Sequence, residues 1–318
     1  MELIKEKKLI SIIVPCFNEE EVLSETFRRL SDFAFSLNEL NIEIIFIDDG
    51  SNDSTAKYIK NFVDNYKYVK AVFLARNFGH QIAVTAGIDS SEGDAVVIID
   101  ADLQDPPEEI ENLVNKWKQG FDVIHAVRSK RKGESNIKKI FAHTFYRIMS
   151  RITDIEMTED AGDFRLIDRK AIDALNAMPE QHRFMRGLAS WIGFNQGYIE
   201  YIREPRLTGK TKYPFIKSFS LALNAITSFS GTPLRIIFYL GNFLCFISIS
   251  IAIYIFIIWN FVEQKIPSHA GTTYLTLAIF FVSGLQMLCM GILSQYIRGV
   301  FDEIKNRPLY LIKETNIK

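Results

Sequence analysis

The chain has 318 residues, and its 37 lysines and arginines against 38 aspartates and glutamates leave a formal charge of −1. That length allows one large domain with an appendage, and the even balance, with no basic stripe interleaved with aromatics, excludes nucleic acid as an expected partner. Cys16, Cys245 and Cys289 show no CxxC spacing and are odd in number, which argues against a disulfide framework and against a zinc site. No long apolar core follows the charges of MELIKEKKLI, so no secretory signal is expected and the first domain is placed in the cytosol.

In chain order, Leu9–Pro15 (LISIIVP) reads as a buried strand, followed by a helix opening at CFNEEEV with Asn18 as its expected N-cap. Ile42–Ile47 is a second strand, ending in Asp48-Asp49-Gly50-Ser51 before a helix over Ser54–Tyr66. Val69–Leu74 is a third strand, followed by Arg76-Asn77-Phe78-Gly79 and a helix over Gln81–Ser90. Ala95–Asp100 is the central strand, Pro107–Gln119 a helix, and Asp122–Val127 a fifth strand. Strand and helix alternating at this spacing predict an α/β fold with a doubly wound parallel sheet. No GxGxxG or GxxxxGK[ST] follows any of these strands, so a dinucleotide site and a P-loop are not expected.

Carboxylates follow two strands instead. Ligands of open α/β sheets sit beyond the carboxyl ends of the strands. Asp100 and Asp102, two apart, suit a hard divalent cation, Mg²⁺ or Mn²⁺, whose other ligands are waters and substrate phosphates. The plainer alternative is that Asp102 or Asp105 merely caps the helix that begins near Pro106. Asp48 and Asp49 could accept hydrogen bonds from a nucleotide's ring or ribose, or simply form a solvated Asp-Gly turn.

Arg128–Lys139 is a basic loop, either solvated or able to close over anionic groups. Phe164-Arg165-Leu166 reads as a short buried strand carrying a charge inward, which is costly unless Arg165 is paired or binds a ligand. Lys210 and Lys212 flank a threonine on a glycine-started loop, suited to a phosphate or to an anionic lipid surface. Ile216–Phe229 has the pattern of an interfacial helix. Ile236–Val262 and Thr272–Ile297 are charge-free runs, each longer than the roughly 20 residues that span a hydrocarbon core. Of the cations nearby only Lys265 lies between them, so a hairpin with both termini in the cytoplasm is expected. The tail Leu309–Lys318 is expected to be short and mobile.

Taken together, IIVPCFNEE, DDGSNDST, RNFG, IIDADLQDPPE, GDFRL, RFMRG, TGKTKYP and SQYIRGVFDEIKNRPLY resemble the polyisoprenyl-phosphate glycosyltransferases. These are inverting family 2 enzymes of GT-A fold, and the bactoprenol glucosyltransferase branch is the nearest. The resemblance runs from about Leu9 to Tyr310. It implies a cytosolic GT-A domain over residues 1–215, an interfacial helix over 216–233, membrane helices over 234–262 and 272–297, and a cytosolic tail over 298–318. It implies transfer of a hexose, with glucose from UDP-glucose the best match, to undecaprenyl phosphate at a bacterial cytoplasmic membrane.

The same resemblance assigns Asp100 and Asp102 to the metal and to the nucleotide sugar's diphosphate. It assigns Pro15, Phe17, Glu19, Asp48, Asp49 and Arg128 to the nucleotide sugar, Asp163 and Arg165 with Asp102 to catalysis, and Arg131, Lys210 and Lys212 to the acceptor phosphate. It also implies a homo-oligomer, up to a tetramer, for which Gly284, Gly291 and Ser294 offer small packing surfaces. Gln295 and Asp163 depart from many members, and the second departure favours glucosyl donors over mannosyl ones. The alternatives are the same reaction with another donor (UDP-N-acetylglucosamine, UDP-galactose or GDP-mannose), a processive polysaccharide synthase, and a catalytically inactive membrane scaffold. The synthase lacks its extra spans and its QxxRW segment here, and the scaffold is at odds with the intact Asp100 and Asp102.

Overall fold

The computed structural model describes residues 7–36, 39–130, 161–178, 180–181, 183–204, 232–261 and 268–317. The chain divides into two compact units, one holding the sheet together with Arg307–Lys318, the other holding the long C-terminal helices.

The sheet unit starts with β1 (Leu9–Cys16), α1 (Leu23–Ser36), β2 (Asn41–Asp48), α2 (Thr55–Asn65), β3 (Val69–Leu74), α3 (His80–Asp89) and β4 (Ala95–Ile98). A short 3₁₀ turn at Pro107–Glu109 runs into α4 (Ile110–Lys118), followed by β5 (Val123–Lys130), β6 (Ala161–Asp168), α5 (Arg169–Asn176), α6 (Met185–Trp191) and β7 (Gln196–Ile202). Among the described residues the strands form one eight-stranded sheet in the order β7-β5-β6-β4-β1-β2-β3-β8, where β8 is Ile312–Thr315.

The β-branched runs explain the centre. Every residue of β4 is buried, as are seven of the eight residues of β1, which is the pattern of a parallel strand covered on both faces. β1 pairs parallel with β2 and with β4, so Cys16 stands opposite Asp48 while Ile13 stands opposite Ile98. The carboxyl ends of these strands therefore share one edge. Ile12, Ile44, Val97, Leu113 and Trp117 belong to the core cluster that closes one face.

Among the described residues two strands run against the parallel majority. β6 lies antiparallel between β4 and β5, with Arg165 opposite both Ile98 and His125. That reversal brings its first residues, Gly162 and Asp163, to the edge where β4 delivers Asp100. The expected short strand Phe164–Leu166 is thus the middle of an eight-residue one.

The second reversal is β8. Leu309–Lys318, expected to be mobile, instead supplies an antiparallel edge strand against β3. Asn316 Oδ1 accepts the Ala71 amide at 2.7 Å, the Ala75 amide donates to the Leu311 carbonyl at 2.8 Å, and Lys60 Nζ meets Glu314 Oε2 at 2.6 Å. Tyr310 adds a hydroxyl bond to Asp89 Oδ2 at 2.9 Å. The tail covers an edge that would otherwise expose unpaired backbone groups.

The other unit contains α7 (Thr232–Phe261) and α8 (Ser268–Lys305). Among the described residues Ala278–Lys305 is long and apolar enough to cross a membrane, with none of its most apolar window buried, and Leu234–Leu244 is a shorter apolar stretch. The expected interfacial helix over residues 216–233 falls almost wholly outside the described residues.

Candidate active site

Beyond the carboxyl ends of β1, β2 and β3, three loops knit together. Asn18 is not a helix cap: it adopts φ +53°, and α1 begins only at Leu23. Its amide donates to Ser51 Oγ at 3.0 Å, and its side-chain oxygen accepts the Asn52 amide at 2.8 Å. The Glu19 amide donates to Thr55 Oγ1 at 2.8 Å, and Glu20 Oε2 accepts the Ser54 amide at 2.9 Å. Phe17 and Glu19 sit half-buried on this loop, while Pro15 lies within β1 opposite Ile47. Gly50 has φ +69°, and a Cβ there would come within 2.5 Å of the Arg76 backbone, so only glycine fits the turn.

Asp48 accepts the Ser51 amide at 3.2 Å, which is turn chemistry. Asp49 reaches further. Its Oδ1 accepts the Phe78 amide at 2.7 Å and its Oδ2 the Gly79 amide at 2.9 Å. Burial pushes both carboxyls up, and these amides pull Asp49 back down. Asp49 thereby fixes the residue that starts α3, His80.

His80 is the side chain that sequence reading missed. Its Nε2 lies 3.5 Å from Asp100 Oδ1 and 3.4 Å from Asp163 Oδ2. Burial pushes the imidazole down, but the Asp100 and Asp163 carboxylates outweigh it and raise it to about 9. Arg186, within the RFMRG segment, grips Asp163 with both Nε and Nη2 at 2.9 Å. Against burial, Arg186 and then His80 hold the Asp163 carboxyl well below the usual carboxylate range. Arg165, 1% exposed, turns its donors to the carbonyls of Gly162 at 2.8 Å and of Met185 and Asp163 at 3.3 Å. Burial lowers it to about 10. The inward charge is therefore met by backbone carbonyls and by the Asp163 carboxylate, whose Oδ1 lies 3.8 Å from Nη2, and it braces the Gly162–Asp163 segment against α6.

Asp100 and Asp102 stand at the end of β4. Asp102 Oδ1 accepts the Gln104 amide at 3.1 Å, a local turn bond rather than a helix cap. Burial, followed by the Asp105, Asp163 and Asp102 carboxylates, outweighs His80 and raises Asp100 to about 6. No group of three or more His, Cys, Asp or Glu side chains among the described residues is placed to cage a metal. Two carboxylates at a strand end with surplus negative charge fit a hard divalent cation that completes its shell with a diphosphate and waters.

Asp105 is no helix cap either, since the 3₁₀ turn is entered through Pro106 without a side-chain cap. It is fully buried, accepts the Tyr201 hydroxyl, and lies 3.9 Å from Arg128 Nη2 and 3.7 Å from Arg203 Nε. Arg128 Nε also bonds the Tyr201 oxygen at 3.2 Å. The sequence-predicted acceptor residues Arg131, Lys210 and Lys212 lie outside the described residues.

Asp48, Asp49, Asp100, Asp102, Asp163 and Arg128 are thus carried to one edge of one sheet. Comparison with known proteins gives the family. The family model for glycosyl transferase family 2 matches residues 11–175. A Bacillus subtilis (strain 168) protein named uncharacterized glycosyltransferase YkcC is 43% identical over 96% of this chain and 93% of its own length. The SfII prophage-derived bactoprenol glucosyl transferase of Shigella flexneri is 37% identical over 96% of this chain and 98% of its own. An Escherichia coli (strain K12) prophage bactoprenol glucosyl transferase homolog is 38% identical over the same shares. A mostly parallel α/β sheet with acidic strand ends, together with these full-length matches, makes this chain a glycosyltransferase that belongs to glycosyl transferase family 2.

Proposed function

We propose that this glycosyltransferase moves a hexose, glucose from UDP-glucose in the first instance, onto undecaprenyl phosphate at the cytoplasmic face of a bacterial membrane. The observation that carries the acceptor and the sugar is the 37% identity, over 96% of the chain, to a protein named bactoprenol glucosyl transferase. The match extends through the C-terminal helices and is not confined to the catalytic sheet. On this reading Ile236–Val262 and Thr272–Ile297 cross the membrane as a hairpin with both termini cytoplasmic, and copies of the chain associate.

The chemistry follows from charge. The leaving group is a nucleoside diphosphate, and Asp100 and Asp102 would hold the Mg²⁺ or Mn²⁺ that neutralises it. A lipid phosphate is already anionic, so its oxygen needs alignment more than deprotonation. It attacks the anomeric carbon as the bond from that carbon to the diphosphate oxygen breaks, which inverts configuration. Asp163, held ionised by Arg186 and His80, is a poor base and is assigned to orienting those cations around the reacting centre. Arg165 braces it from behind. Pro15, Phe17, Glu19, Asp48 and Asp49 are assigned to the nucleotide, and Arg128, Arg131, Lys210 and Lys212 to the substrate phosphates.

A donor panel tests the sugar. UDP-glucose, UDP-N-acetylglucosamine, UDP-galactose and GDP-mannose are each offered with Mn²⁺ and undecaprenyl phosphate. UDP-glucose should be consumed fastest. Preference for another donor replaces glucose and leaves the reaction type standing.

A further inference from the structure

Asp105 has no part in the chemistry set out above, yet it is among the most completely enclosed charges in the sheet unit, with no measurable exposure. A buried carboxylate is costly unless cations and hydrogen bonds meet it. Asp105 and its partners come from three strand ends. Asp105 follows β4 and the metal-side carboxylates, Arg128 lies near the end of β5, and Tyr201 and Arg203 lie at and just past the end of β7. The Tyr201 hydroxyl touches both Asp105 and Arg128 Nε, so it fixes one against the other. Ser129 Oγ adds a bond to the Tyr201 carbonyl at 3.1 Å, and the Glu204 amide bonds the Gln104 carbonyl at 3.0 Å, closing the loop after β4 onto the end of β7.

The consequence falls on Arg128. Its Nη2 lies over Gly162, where an added Cβ would come within 2.6 Å of it. Gly162 directly precedes Asp163, which carries Arg186. The Arg186 charge opposes that of Arg128, and the Asp105 carboxylate supports it. Arg128 is backed by Asp105 at 3.9 Å and Arg186 by Asp163 at 2.9 Å. A guanidinium backed by its own carboxylate is suited to meet a phosphate.

We propose that Asp105 is a positioning residue for the transfer reaction. It acts through Arg128, holding that guanidinium over Gly162 toward a phosphate of one substrate. The inference rests on the assignment of Arg128 to substrate phosphate. That phosphate belongs either to the lipid acceptor or to the donor diphosphate, and the experiment separates the two.

The test is a double-mutant cycle with Asp105→Asn and Arg128→Gln in the full-length protein in detergent. It is read by transfer of hexose to undecaprenyl phosphate and, separately, by affinity for UDP with Mn²⁺. Asn keeps an oxygen for the Tyr201 hydroxyl and removes the charge. Asp105→Asn alone should lower kcat/KM or UDP affinity about tenfold, and in the Arg128→Gln background it should do almost nothing further. Coupling seen in transfer with UDP affinity unchanged places the arginine on the acceptor phosphate. Coupling seen in UDP affinity places it on the donor diphosphate. Independent, additive losses in both readouts overturn the proposal, because they mean that Asp105 merely supports the fold. Tyr201→Phe, which removes only the bridging hydroxyl, supplies a second route if Asp105→Asn does not fold: its effect should likewise vanish in the Arg128→Gln background, and additivity there overturns the proposal. A wild-type protein that binds UDP yet transfers nothing to lipid phosphate defeats the acceptor assignment alone, and the UDP arm still decides Asp105.

Discussion

Arg186 holds Asp163 by two parallel bonds, Nε to Oδ1 and Nη2 to Oδ2, each 2.9 Å long. This fork places a fixed cation beside a carboxylate that would otherwise be read as a general base. Lysine cannot reproduce the fork. Arg186→Lys is therefore expected to lower kcat about tenfold while leaving UDP affinity within about twofold. Steady-state kinetics with both substrates varied checks it, and an unchanged kcat would remove Asp163 orientation from the mechanism.

The strand-end carboxylates make a sharper prediction. Asp102→Asn should abolish transfer in a protein that still folds and inserts, and chelation should do the same reversibly in the wild type. Thermal shift by UDP with Mn²⁺ reads the cause: the wild type should be stabilised by the pair together, the variant by neither. Wild-type turnover by folded Asp102→Asn would sink the metal assignment.

His125 gives the sheet unit an acid-sensitive element. It is 2% exposed, its Nε2 lies 3.0 Å from Gln196 Oε1, and its ring stacks on Tyr198. Burial, followed by the Arg165 charge, lowers it to about 3 from an ordinary 6.5. The unfolded chain therefore takes up a proton below about pH 6.5 that the folded chain refuses until about pH 3. Stability from this residue is complete above pH 6.5 and is lost as pH falls toward 3. His125→Gln should flatten the decline of Tm across that window. An identical pH slope in both proteins would show that His125 does not titrate on unfolding.

The C-terminal strand should be worth measurable stability. Asn316→Ala removes the bond to the Ala71 amide, a net loss of about 1 kcal/mol, or about 2–4 °C in Tm for a unit of this size. Truncation after Asn306 should cost more and expose the β3 edge to association. Melting and light scattering test both, and a truncated protein with wild-type Tm and no self-association would show that the tail is dispensable.

Sequence and structure part company where distance along the chain matters. Val69–Leu74 was legible to the residue because an apolar β-branched run between turn residues has few other readings. The position of Asp100 and Asp102 just past the end of such a run was legible for the same reason. β8 was not: Ile312–Thr315 is four residues long, mostly polar and exposed throughout, and only pairing with β3 makes it a strand. Asp105 looked like a helix cap because Pro106 and Pro107 follow it. Its true partner Tyr201 is 96 positions away, beyond any local pattern. His80 is a lone histidine at a helix start, with no spacing signal at all. The antiparallel insertion of β6, which delivers Asp163, is a topological fact that no window of residues contains.

The most direct measurement uses the purified protein in detergent with Mn²⁺, UDP-glucose and short-chain undecaprenyl phosphate, and follows the lipid by mass. The expected product is the lipid phosphate carrying one hexose, formed by the wild type and absent with Asp102→Asn. UDP released only by hydrolysis, with the lipid unchanged in mass, would contradict the lipid-phosphate acceptor.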